Sequence, residues 1–217
     1  AASNGASSAA LSVTVDTTAP SAPAITAPVD GSVTSDTTPT ISGSGAEEGS
    51  TVTVYDGATV ICTDTTVGND GLWSCDASPA LAPGNYTFTA TATDAANNES
   101  TPSNAVDVEI DTTSPTVTLT TPANSATYNT AVIAVDFTLV EDNPGTSVCT
   151  ITGPGGPYVV SPCTDGQNLP SLPDGTFSIQ VVHTDAASNV GSSATHSFTV
   201  DTTAPSAPTI TSPADNT

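Results

Sequence analysis

The sequence predicts an all-β chain of tandem two-sheet sandwiches, about seven antiparallel strands in each. Three observations carry this reading. Apolar residues alternate with a period of two: across Asn85–Thr93, Tyr86, Phe88, Ala90 and Ala92 share one face while Thr87, Thr89, Thr91 and Thr93 share the other. That is the pattern of a half-buried antiparallel strand. Asp16-Thr-Thr-Ala-Pro20 returns as Asp111-Thr-Thr-Ser-Pro115 and again as Asp201-Thr-Thr-Ala-Pro205, 95 and then 90 residues on. Self-similarity at domain length marks an array of like modules. No segment shows a capped helical period.

Taken in order, the alternation and the Gly/Pro/Asp punctuation place strands in the first module at about 22–27, 38–44, 51–55, 58–64, 72–77, 85–93 and 103–110. Between Thr51–Tyr55 and Ala58–Ile61, Asp56-Gly57 gives the signal of a two-residue hairpin. The second module reads as strands at about 116–120, 131–140, 147–152, 158–161, 163–166, 176–184 and 194–200. In Thr176–Thr184 the inward set is Phe177, Ile179, Val181 and His183. Short strands in turn-rich modules pack as sandwiches. Trp73 then reads as a core residue rather than a ligand platform.

The chain ends extend the repeat. Residues 1–32 align without gaps on residues 186–217, and Thr14–Pro23 recurs unchanged at 199–208. The expected organisation is a C-terminal fragment of a preceding module at 1–18, complete modules at 19–112 and 113–203, and a first-strand fragment of the next at 204–217. This long echo is closer than the match between the two complete modules. It implies two alternating module types in a longer parent protein.

There is no Lys or Arg, and 22 acidic residues give a net charge of −22. Nucleic acid is excluded as a natural partner, because no cation is present to meet phosphate. Anionic membrane is disfavoured for the same reason, and no apolar run is long enough for direct membrane insertion. The acids require dissolved or bound cations, which high salt or calcium would supply. The four cysteines fall two per module without zinc spacing. Two within-module bridges, Cys62–Cys75 and Cys149–Cys163, are the favoured reading and point to an oxidising, extracellular or cell-surface location. Four buried free thiols are the rival.

Asp-Thr-Thr-Ala-Pro at module starts and Gly84-Asn-Tyr-Thr-Phe-Thr-Ala-Thr-Ala-Thr-Asp-Ala-Ala-Asn97 near a module end resemble the bacterial Ig-like repeats of large secreted surface adhesins. Cys149 with Ser161-Pro-Cys163-Thr and Leu172-Pro-Asp-Gly175-Thr-Phe resembles a disulfide-bearing variant. The resemblance implies an Ig-like β-sandwich in each module and a stalk that holds a terminal domain away from the cell. It also implies Ca²⁺ at module junctions, although dense Asp clusters are lacking.

An Ig-like strand order brings the linker and two loops to one pole of each module. The first module would gather Asp16, Glu47, Glu48, Asp94, Asn97, Asn98 and Glu99 there; the second would gather Asp111, Glu141, Asp142, Asn143, Asp185 and Asn189. All-oxygen donor sets suit Ca²⁺. The competing reading is turn chemistry, in which the Asp side chains satisfy loop amides. His183 and His196 fall on the inward phase of the last two strands, and a symmetric hairpin about residues 189–190 would make them cross-strand neighbours.

No nucleophile-elbow, phosphate-loop or zinc-hydrolase motif occurs, so the chain reads as a non-enzyme. The leading expectation is a structural repeat segment of an extracellular stalk or fibre, whose partners are neighbouring modules in the same chain and like chains in a fibre. The alternatives are a repeating subunit of an extracellular filament, or a glycan- or protein-binding spacer module of a secreted enzyme.

Overall fold

The computed structural model describes residues 11–209 and divides into two units, Ala1–Asp111 and Thr112–Thr217. The first unit contains β1 (Ala24–Ala27), β2 (Ser32–Thr34), β3 (Thr40–Ser44), β4 (Thr51–Asp56), β5 (Thr59–Asp64), β6 (Trp73–Asp76), β7 (Gly84–Thr93) and β8 (Val106–Ile110). Sheet order is β1-β3-β6 facing β2-β8-β7-β4-β5. The period-two pattern becomes burial directly. In β4, Val52 and Val54 are fully buried while Thr51 and Thr53 are only partly so; in β7, Phe88 and Ala90 point inward. These residues join Ile25, Ile41, Trp73, Val106, Val108 and Ile110 in one core.

The second unit contains β9 (Thr116–Thr121), β10 (Ala126–Tyr128), β11 (Ala134–Val140), β12 (Thr146–Thr152), β13 (Tyr158–Val160), β14 (Gln167–Asn168), β15 (Gly175–Thr184), β16 (Val190–Ser192) and β17 (His196–Val200). Its sheets run β9-β11-β14 and β10-β17-β15-β12-β13, with β16 pairing β15 beside β17. The core gathers Val117, Leu119, Val135, Phe137, Ile151, Phe177, Ile179, Val181, Phe198 and Val200. Phe177 and Phe198 stack with ring centroids 5.7 Å apart. No helix is long and apolar enough to cross a membrane, among the described residues.

The structure differs from the expected strands in four places. β2 and β10 are short strands that run parallel to β8 and β17, and their three residues each carry too little alternation to register as strands. The expected strand at 163–166 is replaced by a turn, in which Gly166 takes φ 75°, and β14 begins only at Gln167. The final expected strand is β17, and a further short strand, β16, precedes it and pairs β15. The hairpin between β4 and β5 pairs Asp56 with Thr59, so its two-residue loop is Gly57-Ala58, one position later than expected, and a register shift follows at Val54/Tyr55.

Both bridges are formed. Cys62–Cys75 joins β5 to β6, the last strands of opposite sheets, with Cα atoms 5.8 Å apart. Cys149–Cys163 ties β12 to the segment after β13, with Cα atoms 5.6 Å apart. There are no free cysteines.

One close approach shows how sequence fixes packing. Gly43 in β3 stands opposite Trp73 in β6. A Cβ at Gly43 would collide with the Ala24 carbonyl oxygen and with the indole carbons Cζ2 and Cε2. The glycine thus makes room for the only tryptophan, which is 3 % exposed.

Candidate functional site

The loops between β3 and β4 and after β7 converge on one end of the first unit. Thr14, Asp16, Glu47, Glu48, Ser50 and Asp94 line a shallow pocket there. Most of the expected acidic set is brought together. The loop after β7 is built on Asp94: Oδ1 accepts the N–H groups of Ala96 and Asn98 at 2.8 Å each, and Oδ2 accepts Asn98 Nδ2 at 2.8 Å. These hydrogen bonds, the Asn98 side chain foremost, hold the Asp94 carboxyl below the usual carboxylate range. The other Nδ2 hydrogen of Asn98 reaches the Asp16 carbonyl oxygen at 3.2 Å. Asn97 has a different task. It occupies the left-handed position of the turn, φ 67°, and its neighbour Asn98 supplies the amide.

The second unit repeats this loop. Asp185 Oδ1 accepts the Asn189 N–H at 2.8 Å, and Oδ2 accepts Asn189 Nδ2 at 3.0 Å. Ser188, φ 73°, stands where Asn97 stands in the first. Glu141 Oε1 accepts the Asn143 N–H at 2.8 Å, and carboxylate oxygens of Glu141 and Asp185 lie within 4.8 Å of each other. Asp185 is buried, Glu141 half-buried, and Asp142 exposed in the same loop. Asp111 ends the first unit; it is buried, and its N–H donates to the Thr34 carbonyl at 2.9 Å.

The two histidines are not cross-strand neighbours. His183 pairs with Gly191 of β16, and His196 pairs with Ile179. The turn is centred on Ala187, with Thr184 pairing Val190, rather than on residues 189–190, and this sets a different register for both histidines. His196 Nδ1 lies 2.8 Å from the Pro122 carbonyl, while His183 Nδ1 lies 2.8 Å from Ser147 Oγ.

Sequence reasoning missed Asp174, which acts at the exit of the second unit. Its Oδ1 accepts the Thr202 N–H at 2.9 Å and the Thr202 hydroxyl at 2.7 Å; its Oδ2 accepts the Thr203 hydroxyl at 2.7 Å. Those bonds, the Thr202 N–H first, lower its pKa. The recurrence of Asp-Thr-Thr was the available signal that these hydroxyls have a task.

Residues 26–112 match the model of a bacterial Ig-like domain. The chain contains bacterial Ig-like domain sequence. A second model, bacterial Ig-like domain group 3, matches residues 75–159, from the later strands of one Ig-like unit into the earlier strands of the next. Among curated proteins no sequence matches. Among solved structures, fibronectin(III)-like modules of Clostridium thermocellum CbhA align with a TM-score of 0.51 at 21% identity, covering 82% of this chain and 92% of that one. A tetra-tandem repeat in the extending region of a large adhesion protein aligns at 25% identity and TM-score 0.32, covering 84% and 50%. The BSP domain of a biofilm-associated protein aligns at 22% identity and TM-score 0.29, covering 85% and 30%. Ig-like domains are generally non-catalytic structural modules, and disulfide-bearing bacterial examples are of the type found in extracellular and surface proteins.

Proposed function

We propose that this segment is a structural repeat of an extracellular stalk, holding a distal domain away from the cell that makes it. The observation that supports it is a pair of self-contained Ig-like cores, each stapled by its own disulfide, in a chain that repeats its Asp-Thr-Thr linker at module length. A covalent series of such units transmits load without relying on assembly. In the source cell, in-frame deletion of one period of about 185 residues leaves the distal domain folded and brings it closer to the surface, as read by localisation microscopy. Unchanged reach would remove the stalk reading. Intact mass of the native material separates it from the filament alternative, which requires chains cut at each period.

Within this reading Ca²⁺ is the proposed counter-ion at the acidic pole. Asp16, Glu47, Glu48 and Asp94 offer an all-oxygen donor set lining one pocket. Against it stands the engagement of both Asp94 oxygens by loop amides. Adding Ca²⁺ to chelator-treated protein raises the melting temperature under this proposal; an unchanged transition in millimolar Ca²⁺ assigns these acids to turn chemistry.

A further inference from the structure

The two Ig-like units form an internal control for each other. In the first, Val52 of β4 stands directly opposite Ala92 of β7, and both are fully buried. Aligned on the strand starts Gly84 and Gly175, both at φ 148°, the same two positions in the second unit are Ser147 and His183, again directly opposite each other. They are 7 % and 3 % exposed. Gly43 and Trp73 likewise correspond to Phe137 and Asp165. Phe137 pairs with Leu119 as Gly43 pairs with Ile25. Asp165 Oδ1 accepts the Phe137 N–H at 2.7 Å, a side chain doing what a ladder bond does elsewhere.

Four positions that are buried and apolar in one module therefore become Ser, His, Asp and Phe in the other. All four border one cleft of about 410 Å³, together with Leu139 and Pro162 among others. The fold does not require polar groups here, as the first unit demonstrates. Placing them costs stability unless every polar atom is satisfied. One is not: Nδ1 of His183 meets Ser147 Oγ at 2.8 Å, but buried Nε2 has no hydrogen-bond partner.

We infer that this cleft in the second unit binds a small apolar molecule bearing a primary ammonium group. Its volume lies near the low end of the roughly 300–1,000 Å³ typical of small-molecule sites. Phe137, Leu139, Pro144, Pro162 and the Cys163 disulfide supply hydrocarbon contact. In the tautomer whose Nδ1–H donates to Ser147, Nε2 presents a lone pair, and Asp165 supplies negative charge. A chain without Lys or Arg has no ammonium or guanidinium side chain of its own to meet them. An ammonium donor satisfies both groups. An anion meets only negative charge, and a strongly hydrated metal ion gains little from apolar walls.

The test uses the full chain, and its two histidines provide their own reference. Imidazole ¹⁵N and ¹³C signals are followed while benzylamine is added. His183 begins as the Nδ1–H tautomer, and its signals move saturably in roughly the millimolar range, while those of His196 stay fixed. Benzyl alcohol binds at least about tenfold more weakly, that is by 1.4 kcal/mol or more. The double substitution Ser147→Val with His183→Ala, which restores the pair used by the first unit, folds with undiminished melting temperature and loses saturable benzylamine binding in ligand-observed NMR. The inference is overturned by the absence of a saturable shift, by equal response to benzyl alcohol, by response to Zn²⁺ alone, or by binding that survives the double substitution. A marked loss of stability in that double variant would also overturn it, since the pair would then be structural.

Discussion

Reducing the Cys62–Cys75 bridge should cost the first Ig-like unit about 3 kcal/mol. The bridge closes a loop with a sequence separation of 13 residues. In the chain-entropy model a loop near that length restricts the denatured ensemble by about 3 kcal/mol. The folded side changes little, because the two thiols remain where β5 and β6 hold them, inside a core that already includes Cys62 and packs Cys75 against it. The assay is urea unfolding followed by Trp73 fluorescence, with and without reductant. Trp73 is the only tryptophan and is 3 % exposed, so the signal belongs to this unit alone. With a urea slope of ~1 kcal/mol per molar for a domain this small, the midpoint should fall by about 3 M. Identical midpoints for oxidised and fully reduced protein would refute the argument. They would mean that residual structure in the denatured chain already restricts it as much as the covalent link does.

Three further outcomes are expected. Gly43→Ala should destabilise the first unit by about 1–3 kcal/mol, because the new methyl meets the Ala24 carbonyl and the Trp73 ring; an unshifted Trp73 unfolding curve contradicts that packing. Asp174 has its pKa held below the ordinary 3.8 by the Thr202 N–H and the Thr202 and Thr203 hydroxyls. Its contribution is complete above that value and lost as pH falls through the lower folded value. The Thr202 amide shift should therefore titrate with a midpoint below 3.8, and a midpoint at or above it would show the clamp to be ineffective. Asp94→Ala should speed hydrogen exchange at the Ala96 and Asn98 amides, which donate to its carboxylate; unchanged protection factors would assign the order of that loop to its backbone bonds.

Sequence alternation was sufficient to place strands wherever one face is buried and the other wet, as in β4, β7, β12 and β15. It was insufficient for β2 and β10, whose three residues are all half-buried or exposed and whose partner is a parallel edge rather than a hairpin neighbour. Cysteine placement identified both bridges. Side-chain tasks were less legible. Asp94 and Asp185 stand at matching places in a repeated motif, but which asparagine completes the turn depends on which residue takes positive φ: Asn97 in one case, Ser188 in the other. The histidine register failed because the hairpin turns about Ala187 and not about residues 189–190, and a period-two pattern does not fix where a turn is centred. The opposition of Ser147 to His183 required the pairing of β12 with β15, a contact 36 residues apart in sequence.

The central claim is that the chain consists of independently folded, disulfide-stapled units that carry load in series. Single-molecule extension tests it most directly. The account predicts two separate unfolding events, each releasing roughly 200–250 Å with the disulfides intact, at about 3.5 Å per residue outside the bridged loops. Each event should lengthen by about 40 Å after reduction, as the 13- and 14-residue separations between the cysteines become free to extend. One merged event, or release lengths indifferent to reductant, would contradict it.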